Sequence, residues 1–285
     1  MNSAMISIGG IRLLLRGDAP DQLLDRYAGF RVHSGKPDIT FACAFTDSRL
    51  TAGRSLADVC CDDRGGFRAA RGDFACAWRG ARGKLTCRNS PYSLDACLRV
   101  VLSAALLCRG GMLVHAAAVR INGAARLFIG PSGAGKTTIA RRVGRCPVLS
   151  DEIVAIGRNA SGRAIAWGTP FWGEMGTGPA FVKPAPAGTL CFLRKSDRLR
   201  RLPLSAGPAA PRLLRCCCLF GNDARLAADA LRNAIWFAQN VPCCELRFAK
   251  GSRIEPAFAG STEDQCVQET ATISARSLRD PEGRA

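Results

Sequence analysis

The 285-residue chain carries 40 Lys and Arg against 23 Asp and Glu, a net charge of +17, with 47% hydrophobic and 22% charged residues. That balance excludes a disordered polymer and suits one core of roughly 150–200 residues plus a small second module. The most apolar stretch, Val100 to Cys108, is too short to cross a bilayer, and the N-terminus lacks the ordered basic, apolar and small-residue regions of an export signal. The expectation is a cytoplasmic protein with no membrane association.

Only six of the basic residues are lysine, at positions 36, 84, 136, 183, 195 and 250. No zinc finger, RNP aromatic signature or basic zipper accompanies the charge, which argues against nucleic acid as a partner. The 15 cysteines contain no C-x-x-C pair, the usual spacing for two zinc ligands from one turn. Reduced thiols packed as small apolar side chains are expected.

Residues 5–88 read as short strands broken by glycine and charge, among them Met5–Ile8, Ile11–Leu15, Ile39–Phe45, Phe74–Trp78 and Leu85–Cys87, with a short helix over Asp21–Tyr27. Arg64, Arg68, Arg71, Arg79, Arg82, Lys84 and Arg88 are opposed in that span only by Asp73. They read as a solvated strand face or as contacts for an acidic substrate.

A helix follows. Ser90 is a good N-cap and Pro91 a good first residue; Leu94, Leu98, Val101, Leu102, Ala105 and Leu106 form one apolar stripe; Arg109-Gly110-Gly111 closes it. Met112–Val119 and Ala125–Ile129 flank Asn122-Gly123, a two-residue hairpin signal. The second strand runs directly into the residues Gly130, Pro131, Ser132, Gly133, Ala134, Gly135, Lys136, Thr137 and Thr138, with a short helix after them.

Gly130-x4-Gly135-Lys136-Thr137 is a complete P-loop pattern with strand before and helix after. Glycines let the backbone curl so that several N–H groups point at one phosphate, and the helix start adds its positive dipole end. Lys136 can bridge the β- and γ-phosphates of ATP, the Thr137 hydroxyl can sit on Mg²⁺, and Thr138 packs or caps. A P-loop also needs carboxylates. Asp151 and Glu152 end the apolar run Pro147–Leu149, close behind Thr137 in sequence, so Asp151 is the candidate base and both acids are candidate metal ligands. His115 lies inside a strand of small and apolar residues, where a satisfied core histidine is the plain reading. Glu174 ends Thr169-Pro-Phe-Trp-Gly-Glu, a loop that reads equally as a substrate wall or as a capped turn.

Hairpin patterns follow over Ile153–Ile156 and Arg163–Trp167, strands over Thr189–Leu193 and Arg200–Leu204, helices over Pro211–Leu219 and Asp223–Gln239, and a last strand over Glu245–Phe248. Residues 255–285 carry six acids and three arginines with no apolar period and read as a mobile tail.

Together, Leu113-Val-His115, the hairpin through Gly123, Gly130–Thr137 and Leu149-Ser-Asp-Glu152 resemble the C-terminal domain of the HPr kinase/phosphorylase family. The resemblance covers about residues 90–250. It implies an α/β P-loop kinase fold shared with phosphoenolpyruvate carboxykinases; with the strand-rich pattern before it and the tail after it, the chain divides into a small β-rich module at 1–88, the P-loop domain at 89–254 and the tail at 255–285. It implies a role for His115 near the phosphates, and Asp151 as base or Mg²⁺ ligand. Glu152 stands where that family has a second aspartate. No isoleucine-arginine-glycine signature follows the acidic pair and no late proline-glycine-arginine-asparagine loop appears, which argues against dephosphorylation by inorganic phosphate. The Thr169–Glu174 loop resembles a divergent branch encoded beside ribosomally made modified peptides, some of whose members phosphorylate a precursor-peptide serine.

The expectation is therefore an ATP- and Mg²⁺-dependent serine kinase, with Lys136, Asp151, His115 and Glu174 as candidate catalytic residues. Its substrate would be a peptide or small protein, and it could form a homo-oligomer. The alternatives are an ATP-hydrolysing regulator without a phosphoacceptor and a carboxykinase-like enzyme acting on a small acid.

Overall fold

The computed structural model describes residues 3–17, 24–50, 57–143, 146–176, 183–249 and 251–252. It is a mixed α/β structure built on two sheets. The first has seven strands: β1 (Ser3–Ile8), β2 (Ile11–Arg16), β3 (Ile39–Thr46), β4 (Asp58–Cys61), β5 (Gly66–Arg71), β6 (Phe74–Arg79) and β7 (Arg82–Arg88), in the order β1-β2-β3-β7-β6-β5-β4. Alternation explains its faces. Phe74, Cys76, Leu85 and Cys87 are buried on one side, while Ala75, Ala77, Lys84 and Arg88 are exposed on the other. Strands β4 and β5 had no clear sequence signal, because glycines and charges interrupt their alternation.

Helix α1 (Pro91–Leu107) packs its apolar stripe into the core shared by both sheets. Ser90 precedes it with extended backbone but makes no side-chain cap; its carbonyl accepts from Ser93 and Leu94 at 3.1 Å. Gly110 adopts φ +75°, and Gly111 N–H returns to the Leu106 carbonyl at 2.9 Å, closing the helix as expected. Asn233 Nδ2 donates to the carbonyls of Leu107 and Gly111 at 3.0 Å each, so the helix end is satisfied although buried. At its other end, Tyr27 Oη donates to Asp95 and Arg26 pairs with Asp95 at 2.9 Å, fastening the N-terminal segment to α1.

The second sheet contains β8 (Met112–Ile121), β9 (Ala124–Ile129), β10 (Val148–Ser150), β11 (Ile153–Arg158), β12 (Ala164–Trp167), β13 (Ala185–Lys195), β14 (Arg200–Pro203) and β15 (Cys243–Phe248). Hairpin β8–β9 turns through Asn122 (φ +51°) and Gly123 (φ +81°), the mirror-image turn that Asn-Gly favours. Strand β8 serves two sets of neighbours. Its first half pairs with β11 (Val114 opposite Val154) and its second half with β9 (Ala117 opposite Phe128). β9 runs parallel to β13, β13 meets β12, and β12 meets β11, so these five strands close into a ring.

Three further α-helices follow among the described residues. α2 (Lys136–Arg142) follows β9 and sets Ile139 and Ala140 on a second buried cluster with Ala117, Phe128, Cys191, Leu246 and Phe248. α3 is Ala206–Leu214 and α4 is Ala224–Asn240. The helix expected over Pro211–Leu219 thus sits earlier. Ser205 precedes it with extended backbone, Pro211 is tolerated inside it, and after Arg215 the chain leaves helical geometry to pair with β8. Asp223 caps α4 by accepting from the N–H groups of Arg225 and Leu226, while its other oxygen accepts from Cys61 at 2.7 Å and ties α4 to β4.

Part of the segment expected as a helix over Asp21–Tyr27, and the whole tail at 255–285, lie outside the described residues. All 14 described cysteines are free thiols. No described helix is long and apolar enough to cross a membrane.

Candidate functional site

The glycine-rich loop leaves β9 at Ile129 and enters α2 at Lys136. Gly135 takes φ +100° at the N-cap position, and a Cβ there would lie 2.7 Å from the Phe248 ring. Only glycine satisfies both conditions, so the loop folds over the end of β15 as tightly as this sequence permits. Lys136 Nζ donates to the carbonyls of Gly130 and Pro131 at 2.9 and 3.0 Å, holding the ammonium inside the bend.

The acidic pair borders the same cleft as this loop. Asp151 is buried with 1% exposure. Its Oδ1 accepts from Gly173 N–H at 2.8 Å and its Oδ2 from Met175 N–H at 2.9 Å. Each carboxylate oxygen has two lone pairs, so each keeps one for a ligand while the loop 173–175 is held. Glu152 is partly exposed; its carbonyl accepts from Ala116 N–H at 3.0 Å, which fixes the pair to β8.

His115 pairs across β11 with Ile153, and its backbone N–H donates to the Cys216 carbonyl at 2.8 Å. Cys218 N–H returns to the Leu113 carbonyl at 2.9 Å. These bonds make the segment after α3 an added strand-like edge beside β8. That segment presents Arg215 and Cys216 to the site.

The result is a cleft of about 430 Å³ lined by the loop from Pro131 to Thr138, by Asp151 and Glu152, by His115, by Gly173 and Glu174, and by Arg215 and Cys216. The structure therefore brings together Lys136, Thr137, Thr138, Asp151, Glu152, His115 and Glu174. Gly130 and Ala134 shape the loop behind them, with the Ala134 N–H bonded to the Pro131 carbonyl at 3.1 Å. Glu174 stays at the exposed rim, where Arg141 donates to its carbonyl at 3.2 Å and approaches its carboxylate at 3.9 Å. Its loop is anchored beneath. Thr169 Oγ1 donates to the Ile153 carbonyl at 2.6 Å, and Phe171 is buried under the Arg99 guanidinium, 5.0 Å from the ring centre.

Sequence reasoning did not place Arg215 and Cys216 here. The Cys216–Cys218 run was visible, but its pairing with β8 depends on a contact about one hundred residues apart, which no local pattern announces.

Burial disfavours the charged forms of the cleft's basic nitrogens and of its thiol. Burial lowers the Lys136 pKa, opposed by the neighbouring Cys216 and Glu152. Burial, then Lys136 and Arg99, lowers the His115 pKa, with Glu152 pulling the other way. Burial raises the Cys216 thiol, while Lys136 and Arg215 oppose that shift. Among the described residues no group of three or more His, Cys, Asp and Glu side chains is placed to hold a metal. Mg²⁺ needs no such cage: it takes one or two carboxylates and fills its shell with water and substrate phosphates. Thr137, Asp151 and Glu152 bordering one cleft fit that requirement.

A family model described as SynChlorMet cassette protein ScmC matches residues 92–255, more than half the chain and all of the site. The chain belongs to the ScmC family. The match begins inside α1 and runs past β15, so it leaves the seven-stranded sheet outside. Among solved structures, the chain is similar to the HPr(Ser) kinase/phosphatase from Coxiella burnetii, with 11% identity over 59% of this chain and 99% of that chain. The TM-score is 0.34, at which the likeness does not fix the fold. Among curated proteins, none matches this ScmC-family chain.

Proposed function

We propose that this ScmC-family chain is an ATP-dependent kinase that transfers the γ-phosphoryl group to a serine hydroxyl on a peptide or small protein. One observation carries the reading: the loop Gly130–Thr137, with Lys136 inside its bend, borders the same cleft as Asp151 and Glu152. Phosphoryl transfer asks little covalent chemistry of a protein. It asks for positioning, charge neutralisation and a carboxylate near the attacking hydroxyl.

On this reading the loop amides bind the phosphates, and Lys136 exchanges its two carbonyl contacts for phosphate oxygens. Thr137, Asp151 and Glu152 would hold Mg²⁺, which when bound would supply positive charge against the phosphates. Asp151 accepts the serine proton. His115, kept neutral by burial, hydrogen-bonds rather than repels the cationic groups around the phosphates. Arg215 lines the same cleft and adds positive charge for the transferred group. Glu174 stands where the substrate enters. The family's description as a cassette protein suits a substrate encoded beside it.

The test is incubation of the full chain with ATP labelled at the γ-position, Mg²⁺ and candidate peptides. Label on a peptide serine, lost in Lys136→Ala, supports the kinase. Label released only as free phosphate would replace it with an ATP-hydrolysing regulator. Absence of nucleotide binding by calorimetry would remove both.

A further inference from the structure

We propose that the outer face of the seven-stranded sheet is a docking surface for an extended acidic polypeptide. Strand register places Arg16, Ala42, Lys84, Ala77, Arg68 and Cys60 in one row across six strands, from β2 to β4. All six are exposed. Cations occupy every second strand and alanines lie between them. With strands about 4.8 Å apart, the charges repeat roughly every 9.6 Å.

The neighbouring row strengthens the field. Arg82 lies directly opposite Arg79, an arrangement that costs stability unless something offsets it. Arg79 is paired with Asp62. Arg16, Arg68, Arg82 and Lys84 have no ion pair among the described residues. Two shallow troughs of about 390 and 450 Å³ open on this face; Arg68, Ala77 and Lys84 line both, with Asp62 bordering the first and Asp58 the second. Alanine floors let a backbone approach closely, while the cations stand as walls.

The spacing selects the occupant. A chain in polyproline-II conformation turns every three residues and advances about 9.3 Å per turn, so carboxylates at every third position share one side and match the cation repeat. Single-stranded nucleic acid fits less well, because it needs aromatic platforms. Phe67 and Trp78 border the first trough, but their rings are stacked on each other at 3.9 Å. A membrane surface fits less well still. The exposed large hydrophobic residues among those described are Tyr92, Leu219, Leu231 and Ile235, none of them on this sheet.

The experiment measures fluorescence anisotropy with the full chain and a labelled peptide of three Glu-Pro-Pro repeats, about 28 Å long in this conformation. Binding should weaken with added salt. It should be absent for Gln-Pro-Pro repeats and fall about tenfold or more in the double variant Arg68→Glu, Lys84→Glu. Both positions are exposed, and circular dichroism confirms that the variant is folded. Three outcomes would overturn the proposal. One is unchanged affinity in the folded double variant. The second is tighter binding of a single-stranded oligonucleotide of equal charge or of anionic lipid vesicles. The third is tighter binding of a peptide copying residues 255–269, whose acids are Glu255, Glu263, Asp264 and Glu269, which would make the occupant this chain's own C-terminal segment.

Discussion

Asp151 and Gly173 are joined by a backbone N–H donated to a carboxylate oxygen at 2.8 Å, and the second oxygen of Asp151 takes the N–H of Met175. The same carboxylate that borders the cleft with the glycine-rich loop thus holds the stretch 173–175 in place. Asp151→Asn turns one acceptor into a donor and sets it against a backbone N–H. A loss of about 1–3 kcal/mol in stability is expected, together with loss of phosphoryl transfer. Glu152→Gln makes no such clash and should leave the melting temperature nearly unchanged while lowering turnover. Paired thermal melts and transfer assays on the two variants check this division.

The two positive-φ glycines of the loop should respond differently to alanine. At Gly133 (φ +74°) a Cβ meets open space, so Gly133→Ala carries only the backbone penalty of about 1–2 kcal/mol. At Gly135 (φ +100°) the added Cβ also meets Phe248 at 2.7 Å. Gly135→Ala should therefore cost more stability than Gly133→Ala, and the companion change Phe248→Leu should recover part of the difference. Urea denaturation of the three variants measures it.

Tyr27 and Asp95 form a buried pair at the joint between the N-terminal segment and α1. Burial raises the Asp95 pKa, and the Tyr27 hydrogen bond and Arg26 oppose that shift. Tyr27→Phe removes the hydroxyl and leaves a buried carboxylate short of a donor. The expected cost is about 1–3 kcal/mol. Tyr27→Phe combined with Asp95→Leu should recover most of it, which chemical denaturation can read.

His115 gives a pH dependence of defined sign. Its folded pKa lies below the ordinary 6.5 because burial and two nearby cations disfavour the imidazolium. The unfolded chain therefore binds a proton more readily there, and stability falls as pH drops below about 6.5. His115→Gln should flatten that part of the profile while leaving the region above pH 7 unchanged. A series of melts across the acid range tests it, and an unaltered slope would show that the histidine is not the responsible group.

Much of this architecture could be read from the chain. The Asn122-Gly123 turn, the α1 stripe and the Gly130–Thr137 loop are local signals, each set by a few adjacent residues whose conformational preferences agree. The adjacency of Asp151 to the loop was also legible, because only one short helix and one short strand separate them. Three features were not. β4 and β5 lack clean alternation, since Gly65, Gly66 and the arginines break it. α3 starts at Ala206, and the prolines within it, Pro208 and Pro211, concealed that start. The placement of Arg215 and Cys216 beside His115 comes from backbone pairing between distant segments, and side-chain identity says nothing about that.

The closed ring β8–β9–β13–β12–β11 has a mechanical consequence. The glycine-rich loop springs from one of its members, and the acidic pair sits just before another. Both are therefore tethered to one hydrogen-bonded ring, whereas the stretch around Glu174 and the short edge that carries Arg215 are attached outside it.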